Sequence, residues 1–212
     1  MKILFVLFSA LFSLGASAQK NASIEDADAK TRTLDGSFSA IEISDGIALY
    51  LTAGTEESLA VSFADEKYES KFKTEVVKGV LKIYFDNKGI NYNDNKRRQL
   101  KAYVSFKTLE KLTASGGANV HVPVAVSLGN FEMDFTSGAL FEGEVKANSI
   151  KIDQSSGSVI TLSGKTEKFT IEVGSGAIFK GYDFTTDFCD ADAGSGGDIR
   201  ITVGKELTAK AH

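Results

Sequence analysis

Acidic side chains recur at a fixed spacing through the second half of the chain. Glu42 and Thr113 hold the same place in two earlier segments, four residues before a glycine. On stacked strands such charges would lie about 4.8 Å apart and repel by roughly 0.9 kcal/mol per neighbouring pair. Because Ca²⁺ binds clustered carboxylate oxygens, the series predicts a ladder for a divalent cation or a cationic partner. The alternative is a solvated face whose repulsion is reduced by Lys111 and Lys151. The four carboxylates predicted to bind the cation are Asp134, Asp153, Glu172 and Asp192.

Aromatic residues among polar neighbours form a second candidate site. Tyr50 and Tyr182 are expected to be exposed, and Tyr92 lies between Asn91 and Asn93 in a polar loop from Asp86 to Gln99. Aromatic rings stack on the C–H groups of sugars while amides hold the hydroxyls. We therefore predict a ligand site at Tyr92, Asn91 and Asn93. The alternative is a polar loop that binds nothing.

Paired carboxylates also raise the question of glycoside hydrolysis, which needs two of them about 5 to 9.5 Å apart. Asp190 and Asp192 are predicted to project from a flat face, and no pattern marks a cleft that would raise the pKa of an acid. We therefore do not expect an enzyme. The aspartates considered for this chemistry are Asp187, Asp190, Asp192 and Asp198.

Histidine and cysteine chemistry has few residues to work with. His121 is the only histidine apart from the terminal His212, so a Ser-His-Asp site could be built only around it, and a surface histidine is the simpler interpretation. Metal sites of the His/Cys type lack ligands. Cys189, the single cysteine, falls in an apolar series and is predicted to be a small core residue that forms no internal disulfide.

A small-polar or Gly step followed by Gly recurs about every 20 residues, which is the period of a solenoid. Apolar residues alternate two apart on both sides of each step, as in half-buried strands. The pattern predicts an all-β parallel β-helix with coils of about 20 residues. A β-sandwich of hairpins is the rival, but it has no reason to keep the corners in phase. The corner serines are expected to bind sugars or, more simply, the turn backbone. The steps are Gly116-Gly117, Ser137-Gly138, Ser156-Gly157, Ser175-Gly176 and Ser195-Gly196.

The first half of the chain contains one outlying copy of this pattern. Residues Ile41–Leu51 match Leu112–Val122 in their apolar positions, with Gly46 at the place of Gly117. Longer alternating stretches lie between the copies, and Lys78-Gly79 joins two of them in a hairpin-type turn. We predict a single domain over 31–212, with a partly antiparallel section of longer strands at 31–108 and regular coils at 109–212.

The first residues indicate export. Residues 1–18 have a basic start, an apolar run and an Ala-Ser-Ala cleavage site, which is typical of a signal peptide. Residues 19–30 are polar and predicted to be a disordered leader. No later run is long enough to span a bilayer. We expect an exported protein of the periplasm, cell surface or extracellular space.

Charge and the C-terminal pattern bear on partners. The net charge of −4 argues against nucleic-acid binding. Residues 207–212 alternate like a strand but are not followed by another corner, which would expose a strand edge. We therefore expect self-association through the last coil or a further coil.

The opening Phe38–Leu51, the hairpin Val76–Ile83 and the second entry Leu109–Val120 together resemble the bacterial family of putative autotransporter adhesin head GIN domains, common in the Bacteroidota. Asp45-Gly46-Ile47-Ala48 departs from a literal Gly-Ile-Asn. The resemblance covers nearly all of the chain after the leader. It implies a right-handed β-helix and brings no active site.

These observations predict an exported, non-catalytic binding or adhesion module of the cell envelope that uses an extended β-helix face. The alternatives are a polysaccharide-active enzyme on the same scaffold and a structural envelope element. The expected partner is a surface glycan or an envelope protein, and no cofactor is expected apart from Ca²⁺.

Overall fold

The computed structural model describes residues 26–89 and 98–212, and these form an all-β parallel solenoid of about five turns. One short 3₁₀ helix, Glu66–Tyr68, interrupts the strands. Within the described residues no helix is long and apolar enough to cross a membrane. The strands are β1 Lys30–Arg32, β2 Ala40–Ile43, β3 Ala48–Ala53, β4 Ser58–Ser62, β5 Phe72–Val77, β6 Val80–Phe85, β7 Lys101–Phe106, β8 Lys111–Ala114, β9 Asn119–Ser127, β10 Asn130–Phe135, β11 Leu140–Gln154, β12 Val159–Val173, β13 Ile178–Ala193 and β14 Asp198–Ala211.

Alternating apolar residues produce the stacked core. Each strand turns every second side chain inward, so the parallel pairing of successive coils lays like residues over one another. Met133 lies beside Leu112 on one side and Ile152 on the other. Ile152 in turn lies beside Ile171, and both are fully buried. The parallel β-helix predicted from the period is therefore confirmed.

Tight turns of two residues make the recurring corner. Ser156 and Gly157 both have positive φ, 54° and 71°, and the other Ser-Gly steps do the same. The amide of Gly157 donates to the carbonyl of Ser175 in the next coil at 3.1 Å, so the corners are hydrogen-bonded to one another. Glycine suits this left-handed backbone because it has no Cβ.

The coils differ from the expected three short strands in one respect. Strands β11, β12 and β13 run for 15, 15 and 16 residues, because the inter-coil hydrogen bonds continue around two of the three bends. Register shifts mark one of these bends, between Gly143 and Val145 and between Thr161 and Gly164. Bulges of this kind bend a strand without ending its ladder.

The N-terminal section is partly antiparallel, as predicted. Strands β5 and β6 form an antiparallel hairpin through Lys78 and Gly79, both at positive φ. Strand β4 pairs antiparallel with β7, whereas β3 pairs parallel with both β7 and β9. The outlying copy joins the solenoid in the predicted register, with Ile41 beside Leu112.

The leader expected to be disordered at 19–30 needs correction at its end. Strand β1 begins at Lys30 and pairs antiparallel with β4. Asp26 accepts hydrogen bonds from the hydroxyls of Tyr103 at 2.7 Å and Ser62 at 2.8 Å, so it is tied to the folded domain. With the Nζ of Lys101, which donates to the same carboxylate at 3.1 Å, Asp26 has three buried or half-buried polar partners that order this polar segment. Residues 1–25, which include the predicted signal peptide, lie outside the described residues.

Candidate functional site

The predicted carboxylates do lie in one row. Asp134 is beside Asp153, Asp153 is beside Glu172, and Glu172 is beside Asp192 in the parallel register of successive coils. The row follows from the corners, because a constant distance from each Gly becomes a constant position along each strand. The shared register was predicted from the sequence.

Lysines lie at both ends of this acidic row, which Thr113 extends to Glu42 in the same register. The Nζ of Lys111 lies 2.6 Å from Oδ2 of Asp134, and the Nζ of Lys82 lies 3.1 Å from Oε2 of Glu42. Lys210 is the lateral neighbour of Asp192. Among the described residues, no three His, Cys, Asp or Glu side chains converge on one point. The Ca²⁺ ladder at Asp134, Asp153, Glu172 and Asp192 stays a prediction.

A row of stacked aromatic rings lies on the neighbouring strands β7, β3 and β9. The ring of Tyr50 stacks on that of Tyr103 on one side and on that of His121 on the other, with centroids 5.1 Å apart in both pairs. These three residues are lateral neighbours on β7, β3 and β9. His121 is therefore the end of an aromatic ladder, a role that its isolated place in the sequence did not suggest.

A groove of about 580 Å³ opens at the end of this ladder, where β9, β11, β12 and β13 bend. We call it the aromatic groove. Tyr50 and His121 line one end, and Tyr182, 65% exposed, lines the other. Arg200 donates to the hydroxyl of Tyr182 at 2.6 Å and thereby orients its ring. Two of the aromatic residues singled out in the sequence thus share one concave surface, although no cleft was predicted.

Two glycines beside this groove leave no room for a Cβ between the coils: Gly143, which lines it, and Gly181, next to Tyr182. A Cβ on Gly143 would lie 2.6 Å from the Cβ of Val122 in the coil before it. A Cβ on Gly181 would lie 2.6 Å from the Phe179 ring and 2.9 Å from the carbonyl oxygen of Arg200. Larger residues at these two positions would push the coils apart. These glycines were the available signal for the groove, but they stand outside the Ser-Gly series.

The aromatic groove also contains carboxylates, Glu142, Glu144 and Asp183. Glu142 is exposed, and Glu144 is ion-paired with Lys146 at 3.3 Å and 43% exposed. A general acid in glycoside hydrolysis works in a low-dielectric pocket that favours its protonated form. These carboxylates lie in water. They are better suited to accept hydrogen bonds from sugar hydroxyls.

The far end of the aromatic ladder is held by a charge-assisted network. The hydroxyl of Tyr103, together with Ser62 and Lys101, hydrogen-bonds Asp26 and holds the pKa of this carboxyl well below its usual range. Burial, reinforced by the carboxylate, holds the pKa of Tyr103 above its usual value. The Tyr103 ring is therefore fixed from its hydroxyl end, which in turn braces Tyr50.

Several other predicted residues are placed away from the aromatic groove. Cys189 is buried beside Phe169 in the core, as expected, and burial raises the pKa of its thiol to about 11. The corner hydroxyl of Ser156 is exposed and, like those of the other Ser-Gly corners in the described chain, makes no hydrogen bond to the turn. Ser158 forms that bond instead, donating to the carbonyl of Ser155 at 2.8 Å. The predicted ligand residues Tyr92, Asn91 and Asn93 lie outside the described residues.

Comparison with known proteins agrees with this architecture. A family model described as "Putative auto-transporter adhesin, head GIN domain" matches residues 37–212. Among curated proteins no similar sequence is found. The resemblance stated from the sequence is therefore confirmed.

Three similar solved structures come from different bacteria. A putative adhesin from Bacteroides fragilis is similar with a TM-score of 0.69 and 13% identity, covering 88% of this chain and 97% of that one. A putative lipid binding protein from Parabacteroides distasonis has a TM-score of 0.60 and 16% identity, covering 88% and 94%. A putative adhesin from Parabacteroides merdae has a TM-score of 0.56 and 14% identity, covering 88% and 97%. At these identities the likeness concerns the fold.

Proposed function

The chain belongs to the head GIN domain family of putative auto-transporter adhesins, and from this premise we propose that it is an exported, non-catalytic module that binds a glycan of the bacterial cell envelope. The family description and the adhesin names of similar structures support binding as the general role. The aromatic groove is the observation that supports a glycan as the ligand.

The groove combines the groups that sugars require. The outer face of the His121 ring and the Tyr182 ring are apolar surfaces at its two ends, and carbohydrate C–H groups pack on such rings. Glu142, Thr161 and Lys180 lie in register between them and can exchange hydrogen bonds with hydroxyls. Its volume of about 580 Å³ is within the usual range for a small-ligand site. A short oligosaccharide segment fits this size and chemistry.

Exposure of the site suits adhesion. A solenoid presents a long rigid face, and a groove on that face needs no lid to admit a polymer chain from the side. The predicted signal peptide and the adhesin description of the family support export.

Glycan-array binding of the mature chain, followed by titration calorimetry with the best ligand, tests this function. Tyr182→Ala should weaken binding about tenfold, which corresponds to the loss of one ring contact. Tyr84→Ala is the matched control, because Tyr84 is half-buried on β6 and does not line the groove. An array ligand that binds Tyr182→Ala and Tyr84→Ala with the same affinity as the wild type would contradict the site.

Glycan hydrolysis is the second candidate because Glu142 and Glu144 face the same groove two residues apart on β11. The array ligand should therefore be incubated with the protein and assayed for new reducing ends. We expect none, since neither carboxylate is shielded from water. Release of reducing ends that is lost in Glu142→Gln would make the protein an enzyme.

A further inference from the structure

A second groove, of about 770 Å³, lies where the chain bends into β10 and at the corresponding bends within β11 and β12. Three lysines line it, and we call it the lysine groove. They are Lys107, Lys151 and Lys168.

These three lysines have no ion-pair partner in the part of the chain that the structure describes. Across residues 26–89 and 98–212, no carboxylate lies within ion-pair distance of Lys107, Lys151 or Lys168. Glu132, the lateral neighbour of Lys151, pairs instead with Lys111 at 3.2 Å. Glu110, which also lines the groove, accepts a hydrogen bond from Ser39 at 3.2 Å. Among the described residues the groove therefore has three lysines without an ion-pair partner, and Glu110 is the one lining carboxylate that is not paired with a cation.

Positive charge continues on the side between the two grooves. Lys146 and Lys165 are lateral neighbours on β11 and β12, one coil apart. Lys146 pairs with Glu144 at 3.3 Å, whereas Lys165 has no carboxylate partner in the described chain. Like charges placed side by side destabilise a sheet unless something offsets them. An anionic polymer lying along this side would do so.

Neutral hydrogen-bonding groups complete the lysine groove. The Ser149 hydroxyl donates to Oδ1 of Asn130 at 2.8 Å, which leaves the amide nitrogen of Asn130 free to donate outward. Thr170 lies beside Lys151 in register. Hydroxyls and amides between cations suit a polyhydroxylated anion better than a simple ion.

We propose that the lysine groove binds the acidic groups of an anionic polysaccharide, as a second site that extends the proposed glycan-binding function. An anionic membrane is the alternative source of negative charge. Binding at a membrane surface usually combines basic residues with exposed apolar ones. The large exposed hydrophobic residues of the described chain, among them Val124, Leu140 and Tyr182, do not line this groove. The composition therefore favours the polysaccharide.

Titration calorimetry at low salt tests this site with dextran sulfate, uncharged dextran of equal length, and vesicles of phosphatidylglycerol and phosphatidylcholine. The wild type should bind dextran sulfate, and 0.5 M NaCl should abolish the binding because exposed charge pairs are screened. Lys151→Gln/Lys168→Gln should weaken it about tenfold. The control Lys73→Gln/Lys78→Gln removes the same charge from the exposed β5–β6 hairpin and should leave the affinity unchanged.

Equal weakening by both double variants would overturn the site, since net charge alone would then explain binding. Binding to the vesicles but not to dextran sulfate would overturn it in favour of a membrane surface. Dextran sulfate binding that is lost in Tyr182→Ala but unchanged in Lys151→Gln/Lys168→Gln would also overturn the lysine groove as the site. It would instead support binding in the aromatic groove. A further outcome is that the array yields no ligand while dextran sulfate still binds and Lys151→Gln/Lys168→Gln weakens that binding. This result would overturn only the function proposed for the aromatic groove.

Discussion

The ring of Tyr50 lies against the ring of His121 with centroids 5.1 Å apart and planes 18° from parallel. Tyr103 covers the opposite face of Tyr50 in the same way, at 5.1 Å and 15°. Both faces of Tyr50 are thus occupied within the protein. The face of His121 that turns away from Tyr50 lies on the side of Glu142, the next residue in register, and His121 lines the aromatic groove. Tyr50 and Tyr103 therefore support the contact surface, and His121 provides it.

His121→Ala should weaken glycan binding about tenfold because it removes the ring that ends the ladder at the aromatic groove. His121→Phe should keep most of the affinity, since the ring and not the imidazole nitrogens makes the contact. Affinities come from titration calorimetry with the array ligand. Equal losses in His121→Ala and His121→Phe would indicate that a hydrogen bond from the imidazole is required instead.

Gly157→Ala should destabilise the protein by about 1–2 kcal/mol, because φ is +71° there and a Cβ is strained in that region. The added Cβ meets no atom within 4 Å, so the cost is purely conformational. Gly129→Ala is the control: it also has open space, but its φ lies outside the left-handed region. Denaturant unfolding should separate the two variants, and equal midpoints would contradict the strained corner.

Asp153→Asn should stabilise the protein by about 0.5–1 kcal/mol at low salt, because Asp153 lies between Asp134 and Glu172. High salt should remove the gain by screening. Asp190→Asn is the matched control, since its lateral neighbours are Thr170 and Thr208.

The same variant tests the predicted cation ladder. If the acidic row binds Ca²⁺, millimolar CaCl₂ should raise the melting temperature of the wild type, and Asp153→Asn should lose this rise. If the row is a solvated face, CaCl₂ should act on both proteins like any salt of equal ionic strength. The melting curves in CaCl₂ and in NaCl distinguish the two cases.

Asp26→Asn should cost about 1–3 kcal/mol at pH 7, since Tyr103, Ser62 and Lys101 all donate to the charged carboxylate. The pKa of Asp26 is lowered in the folded protein, so this stability is present above the unfolded pKa of about 3.9 and is lost as pH falls further. The difference in the free energy of unfolding between the wild type and Asp26→Asn should thus become smaller from pH 7 to pH 3. Tyr103→Phe, which keeps the ring stack but loses the hydroxyl, should cost less. A difference that is constant with pH would refute the linkage.

The alternation of apolar and polar residues, together with the Ser-Gly steps, was sufficient to predict the coils, the corners and the acidic row. In a parallel stack each residue lies over the one a coil away, so a constant spacing from Gly157 to Gly176 becomes a constant place in space. Cys189 could be assigned to the core for the same reason. These properties depend on local geometry repeated in register, which one sequence displays directly.

The grooves and the aromatic ladder were decided by the tertiary structure. Tyr50 comes from the irregular N-terminal section and meets His121 only because β3 pairs with β9. Tyr182 reaches the same groove because bulges near Gly143 and Gly181 shift the register where the coil bends. Such shifts depend on packing between coils, which a repeat pattern does not encode. The unpaired state of Lys151 is likewise a result of which carboxylates the fold places within reach, as Glu132 pairs with Lys111 instead.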